Sequence, residues 1–163
     1  MIVVADATPL HYLVVIGHAD ALSKLFNKII IPSAVAAELQ HLRAPDAVRT
    51  WVANPPGWLE IRSVGWSKAD NLDYLGAGER EAILLAQELS ADRLLIDDHD
   101  GRQEAARRHL PVIGTLRVLD EAAERGLVNL ADAAQRLQQT TFYLAPELFR
   151  WLTDRDAERR RKK

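Results

Sequence analysis

The chain has 163 residues, 48% of them apolar and 27% charged, with a formal net charge of −2 and no cysteine. This length fits one domain and buries roughly 70% of its unfolded surface without covalent staples. The composition excludes a disordered chain, a disulfide framework, a thiolate zinc site and a cysteine nucleophile. No apolar run approaches the ~20 residues of a spanning helix. The N-terminus has no basic leader and carries an acid at Asp6, so no signal peptide is expected and a soluble cytoplasmic protein is. A pI near 6.2 excludes a generally basic surface, so any nucleic-acid binding must be local.

In chain order, Ile2–Ala5 is a short β-rich run ending at Asp6. Thr8 and Pro9 read as the cap and first residue of a helix. Helical pieces follow over Leu10–Ile16 and Ala19–Phe26, separated by Gly17. Lys28–Ile31 is a second strand stopped by Pro32. Ser33 caps a helix to about Arg43, and Pro45 opens another that ends at Asn54-Pro55-Pro56-Gly57. Trp58–Val64 alternates as an edge-like strand. The polar stretch 65–77 reads as a loop or short turn. Gly78–Ser90 is a helix, Arg93–Ile96 the most buried-looking strand, and Arg102–His109 a helix. Pro111–Gly114 is a short strand. Helices follow over Leu116–Arg125, Leu130–Gln139 and Pro146 to about Arg155. One domain is expected over 1–155, with 156–163 as a basic, flexible tail ending in Arg159-Arg160-Arg161-Lys162-Lys163.

Short apolar strands alternating with helices imply βαβ units. The expected fold is a three-layer α/β/α sandwich around a parallel sheet of four or five strands. In such sheets ligands bind beyond the carboxyl ends of the strands, near a switch in strand order. Asp6 follows the first strand there, and Asp97 and Asp98 follow the fourth, with Asp100 close behind. A single Asp can simply cap the next helix, but Thr8 looks better placed than Asp6 for that role. An Asp-Asp-His-Asp run also holds more acids than one cap uses. Glu79 lies on the helix stripe formed by Ala82, Ile83 and Ala86, and Glu38 borders the stripe of Val35, Leu39 and Leu42. For Glu79 the alternative is stabilisation of the helix dipole; for Glu38 it is a solvated flank.

Asp6, Glu38, Glu79, Asp97 and Asp98 would together line one pocket. Converging carboxylates take up protons unless a cation screens them. Oxygen donors without Cys or paired His select Mg²⁺ or Mn²⁺. Such an ion suits phosphoryl chemistry.

The segments Val3-Val4-Ala5-Asp6-Ala7-Thr8-Pro9-Leu10, Ile31-Pro32-Ser33-Ala34-Val35-Ala36-Ala37-Glu38-Leu39, Gly78-Glu79-Arg80-Glu81-Ala82-Ile83 and Leu94-Leu95-Ile96-Asp97-Asp98-His99-Asp100-Gly101-Arg102 resemble the PIN-domain family of metal-dependent nucleases, especially small VapC-like toxins. The resemblance spans about residues 2 to 126. It implies that Asp6, Glu79 and either Asp97 or Asp98 hold Mg²⁺ or Mn²⁺, with Glu38 as a further catalytic acid. By the same resemblance Thr8 matches a hydroxyl beside the metal. It also implies cleavage of single-stranded RNA, a small antitoxin partner and a homodimer. Two departures stand out: Glu79 replaces a common Asp, and an Asp-Asp run replaces the usual ending of the fourth strand.

Asp100 and Arg102 are weaker candidates for substrate contact. Arg102 alternatively pairs with Asp98. His11 and Tyr12, one turn past Asp6, could touch substrate or simply lie at the surface. Trp51, Trp58, Trp66 and Trp151 are scattered and read as packing residues. Two rivals are kept. A receiver- or phosphatase-like phosphoryl-transfer enzyme also gathers acids at strand ends, but the phosphatase version wants Asp-x-Asp where Asp6-Ala7-Thr8 stands. The other rival is a PIN-like binding module without turnover.

Overall fold

The computed structural model describes residues 1–66 and 68–162. Five parallel strands, β1 (Val3–Ala5), β2 (Ile29–Pro32), β3 (Leu59–Arg62), β4 (Arg93–Leu95) and β5 (Val112–Ile113), form one sheet in the order β3-β2-β1-β4-β5. Val4 of β1 pairs with Ile30 on one side and Leu94 on the other. The helices are α1 (Ala7–Val15), α2 (Ala21–Phe26), α3 (Ser33–Gln40), α4 (Asp46–Ala53), α5 (Ala77–Glu88), α6 (His99–Arg107), α7 (Thr115–Glu124), α8 (Leu130–Gln138) and α9 (Pro146–Arg161). The expected α/β/α sandwich is what forms. No helix among the described residues is long and apolar enough to cross a membrane.

Successive strand residues point to opposite faces, and this splits the interior in two. Val3, Ala5, Ile29, Ile31, Leu95 and Ile113 pack with residues of α1–α4 and α7–α9. Val4, Ile30, Leu94 and Ile96 pack with α5, α6 and the buried loop residues Leu72 and Leu75. Both faces being covered explains why the strands read as continuous apolar runs. Each fully buried leucine, such as Leu94, contributes about 1.5–3 kcal/mol relative to exposure.

Several boundaries differ from the sequence reading for local reasons. Asp6, not Thr8, is the extended residue before α1, at φ −80° and ψ 169°. Helix α3 stops at Gln40 rather than Arg43, since His41 has left the helix at ψ 144°. Pro45 also disfavours helical backbone at Ala44. Helix α6 starts at His99, three residues early, because the Asp98 carboxylate caps it through Gly101 N–H at 2.9 Å. The stretch read as loop over 65–77 contains a 3₁₀ turn at Lys68–Asp70 and anchors itself through Leu72 and Leu75. Ser67, in that stretch, lies outside the described residues.

The largest correction is at the C-terminus. The segment expected to fray continues α9 to Arg161, because it carries the groups that dock it. Arg155 Nε and Nη2 each donate to an oxygen of Asp120 at 3.0 Å. Arg159 donates to Asp120 at 2.7 Å and to Glu124 at 2.8 Å. Burial opposes ionisation of Asp120, but the hydrogen bonds from Arg155 and Arg159 outweigh it and hold its pKa below the usual range. Lys163 lies outside the described residues.

Two changes test this docking. Asp120→Ala leaves Arg155 without its carboxylate and Arg159 with Glu124 alone, and with Arg155 partly in solvent the expected cost is about 1–3 kcal/mol. Truncation after Arg155 also lowers Tm, by about 3–10 °C for a chain of this size. Thermal melting that leaves both variants at the wild-type Tm would contradict the assignment.

Candidate active site

Strand order reverses between β1 and β4, which opens a crevice at their carboxyl ends. Asp6 stands at this point. Its N–H donates to Leu95 O at 2.8 Å, and the residue is only 2% exposed. Asp97, two residues past β4, accepts from Thr115 twice, from the N–H at 2.8 Å and from Oγ1 at 2.6 Å. Thr115 is fully buried and opens α7 directly after β5. Gly114 before it permits the approach: a Cβ there would lie 2.9 Å from both Asp97 Oδ1 and Arg102 Nη1.

Glu38 arrives from α3 and Glu79 from α5. Helix α5 fits against them because residue 78 is glycine. A Cβ on Gly78 would stand 2.5 Å from Glu38 Oε1 and 3.3 Å from Asp6 Oδ1. The Gly78 N–H of α5 bonds the Glu38 carboxylate. Glu79 Oε2 accepts the Gly76 N–H at 2.7 Å, a capping role at the third helical position. Glu81 accepts the Ala34 N–H at 3.1 Å and ties α5 to the first turn of α3, which carries Glu38.

The remaining sequence candidates lie at the margin. Asp98 is exposed and caps α6, and Asp100 is exposed in that helix's first turn. Arg102 donates to Ile96 O at 2.9 Å, and its charge acts on Asp97 rather than pairing with Asp98. Thr8 is half-buried on α1 and lines a small cavity with Glu38. Sequence reasoning overlooked Thr115, Gly78, Gly114 and Glu81 as determinants of the site. The available signal was position: Gly114-Thr115 follows the fifth strand just as Asp6 and Asp97 follow theirs.

The electrostatics show crowding of like charge. Burial pushes the Asp6 carboxyl up to about 7; the Ala7 N–H opposes this, and the charges of Glu79, Glu38 and Asp97 add to it. Glu38 is raised by desolvation and by Glu79, against the Gly78 N–H. Asp97 is raised by burial, against both Thr115 hydrogen bonds and Arg102. A proton or a cation is the natural occupant of such a place. Among the described residues, no three His, Asp or Glu side chains form a preformed metal cage. Mg²⁺ requires none, since one or two carboxylates plus waters and a phosphate complete its shell. Hard, partly buried oxygens beside the Arg102 guanidinium fit such an ion in chemistry, with Asp6, Glu38 and Asp97 as the donors available.

The Asp6 shift fixes a pH dependence. Its folded pKa of about 7 exceeds the ordinary 3.8, so the folded protein keeps a proton that the unfolded chain has lost between those values. That contribution is complete below about pH 4 and disappears as pH rises through 7. Glu38 and Asp97 shift in the same direction. In chelator, Asp6→Asn should melt higher than wild type at pH 8, by up to about 4 kcal/mol, with the gap closing towards pH 4. Parallel melting curves for the two proteins across that range would overturn the assignment.

Searches of curated proteins and of solved structures return no match. Comparison with protein-family models matches the PIN domain over residues 2–157, nearly the whole chain. PIN domains are generally nucleases that use divalent metals. The chain belongs to the PIN-domain family.

Proposed function

We propose that the protein is a Mg²⁺- or Mn²⁺-dependent ribonuclease that hydrolyses phosphodiester bonds of single-stranded RNA. One observation carries the reading: Asp6 stands buried where the strand order reverses, with the Glu38 carboxylate beside it across Gly78 and the charges of Glu79 and Asp97 acting on it. The further reading as the toxin of a toxin–antitoxin pair rests on the family resemblance alone. So do a small antitoxin partner and a homodimer.

A divalent ion, when bound, lowers the pKa of a water and neutralises charge on a phosphate. The chain supplies the rest. Asp6 and Asp97 present oxygens from two adjacent strand ends. Thr115 locks the Asp97 rotamer through two hydrogen bonds, leaving its remaining lone pairs directed. Glu38, exposed on its outer side and close to Asp6 at Gly78, is placed to accept a proton from an attacking water. Its raised pKa makes it a better base than a free glutamate. Glu79 lies near Asp6 and holds the α5 terminus through the Gly76 N–H. Arg102 balances Asp97.

One observation favours a second reading, a binding module without turnover: Glu79 and Asp98 are both engaged as caps, and no three-acid cage exists among the described residues. End-labelled single-stranded RNA with Mn²⁺ or Mg²⁺ separates the two. The nuclease reading expects cleavage by wild type, none in EDTA, and background cleavage by Asp6→Asn. Thr115→Val should fold yet lose roughly 10–100-fold through a loosened Asp97. Intact RNA with wild type in both metals, or equal cleavage by Asp6→Asn, would refute it.

A further inference from the structure

Arg102 stands beside the acids without pairing with one of them. Its Nη1 donates to Ile96 O at 2.9 Å, just past the end of β4. That nitrogen and Asp97 Oδ1 each lie 2.9 Å from the place a Cβ on Gly114 would take, so both border the crevice at one point. A guanidinium and a carboxylate so placed ordinarily close into a charge-assisted pair. Here they do not: among the described residues Arg102 makes this one side-chain hydrogen bond and no ion pair. Asp97 is already engaged, since Thr115 donates to each of its two oxygens.

Two further donors of the guanidinium are therefore left over. Nε and Nη2 of Arg102 bond to no atom of the described residues, and neither is sealed from water. These two N–H groups lie parallel on one edge of the guanidinium plane. It is the edge with which Arg155 grips both oxygens of Asp120, each at 3.0 Å. Such an edge matches two oxygens borne by one carbon or one phosphorus. At Arg155 the protein supplies that pair of oxygens; at Arg102 it does not. The plane is set before any ligand arrives, because Nη1 is tied to a main-chain carbonyl and Gly114 leaves the space for it.

We propose that Arg102 is a catalytic residue that grips the two non-bridging oxygens of the phosphate at the acids through Nε and Nη2. The proposal rests on the nuclease reading, which brings a phosphodiester to this crevice. In the hydrolysis a water oxygen bonds to phosphorus and its proton passes to Glu38. The bond from phosphorus to one ribose oxygen breaks, and that oxygen takes a proton from solvent. Between these events negative charge builds on the non-bridging oxygens, where a fixed, charged pair of donors acts most strongly.

The test uses labelled single-stranded RNA, with binding followed by anisotropy in Ca²⁺ over a salt series and cleavage followed in Mn²⁺ and in Mg²⁺. Arg102→Gln removes the charge but keeps an N–H for Ile96 O. Arg102→Lys keeps the charge and loses the paired edge. Arg102→Gln should flatten the dependence of log K on log salt by about 0.7, the value of one phosphate on a single strand. It should also cleave roughly 100-fold more slowly. Arg102→Lys should keep the wild-type salt slope and still cleave at least about tenfold more slowly. Both should melt within a few degrees of wild type. A measurement on wild type needs no variant: the Arg102 Nε–H resonance should shift when RNA is added with Ca²⁺. Arg102→Gln with the wild-type slope, Arg102→Lys with the wild-type rate, or an unmoved resonance overturns the contact, while cleavage by wild type upholds the nuclease reading. A flattened slope and a shifted resonance without cleavage by wild type in either metal keep the phosphate contact and overturn the nuclease reading. No binding of RNA by wild type overturns both.

Discussion

Four acids are drawn together where the sheet offers least water, and the rest of the molecule is arranged around that repulsion. Asp6 cannot move away, because it closes β1 with its N–H bonded to Leu95 and its side chain enclosed. Ionised beside Glu38, Glu79 and Asp97, it costs folding energy; protonated or shared with a cation, it does not. The fold accepts this because the surrounding contacts are strong. Two apolar cores cover both faces of the sheet, and Asp120 clamps the last helix through two arginines. Such a group, unfavourable for stability and located at a ligand-binding edge, is characteristic of a functional site.

The supporting contacts show how the acids are held at fixed distance without collapsing onto arginines. Gly78 and Gly114 let backbone approach carboxylates where any Cβ would collide. Thr115 supplies uncharged donors to Asp97, which orients that oxygen pair without cancelling its charge. Glu81 uses its own charge to fasten α3 to α5, so that Glu38 stays placed relative to Asp6. The Arg102 charge acts on Asp97, and a backbone carbonyl restrains it. The arrangement preserves negative potential in the crevice while each participating side chain keeps a defined position.

Much of this was legible in the chain itself. The continuous apolar runs Val3-Val4-Ala5 and Ile29-Ile30-Ile31 announce buried parallel strands, and acids directly after strands announce the edge where ligands bind. The fate of Asp98 was not legible, because an Asp before a helix caps it or reaches a ligand with the same residue type. Only Gly101 N–H, at 2.9 Å, settles the cap. Thr115 was passed over since a threonine after a short strand has no composition signal; its role comes from Asp97, 18 residues earlier, reaching it across the β4–β5 pair. The C-terminal run read as a solvated tail because five basic residues in sequence look alike, yet Arg159 meets Asp120 from 39 residues away. Long-range pairing of charges is where sequence patterns carry the least information.

The central claim is that Asp6 holds a proton near neutral pH unless a divalent ion takes its place. The most direct measurement is the titration of its carboxyl carbon by NMR, in chelator and again with saturating Mg²⁺. The account predicts a midpoint near 7 in chelator and a large fall when Mg²⁺ is added. A midpoint close to 4 without metal, or one unmoved by Mg²⁺, would contradict it.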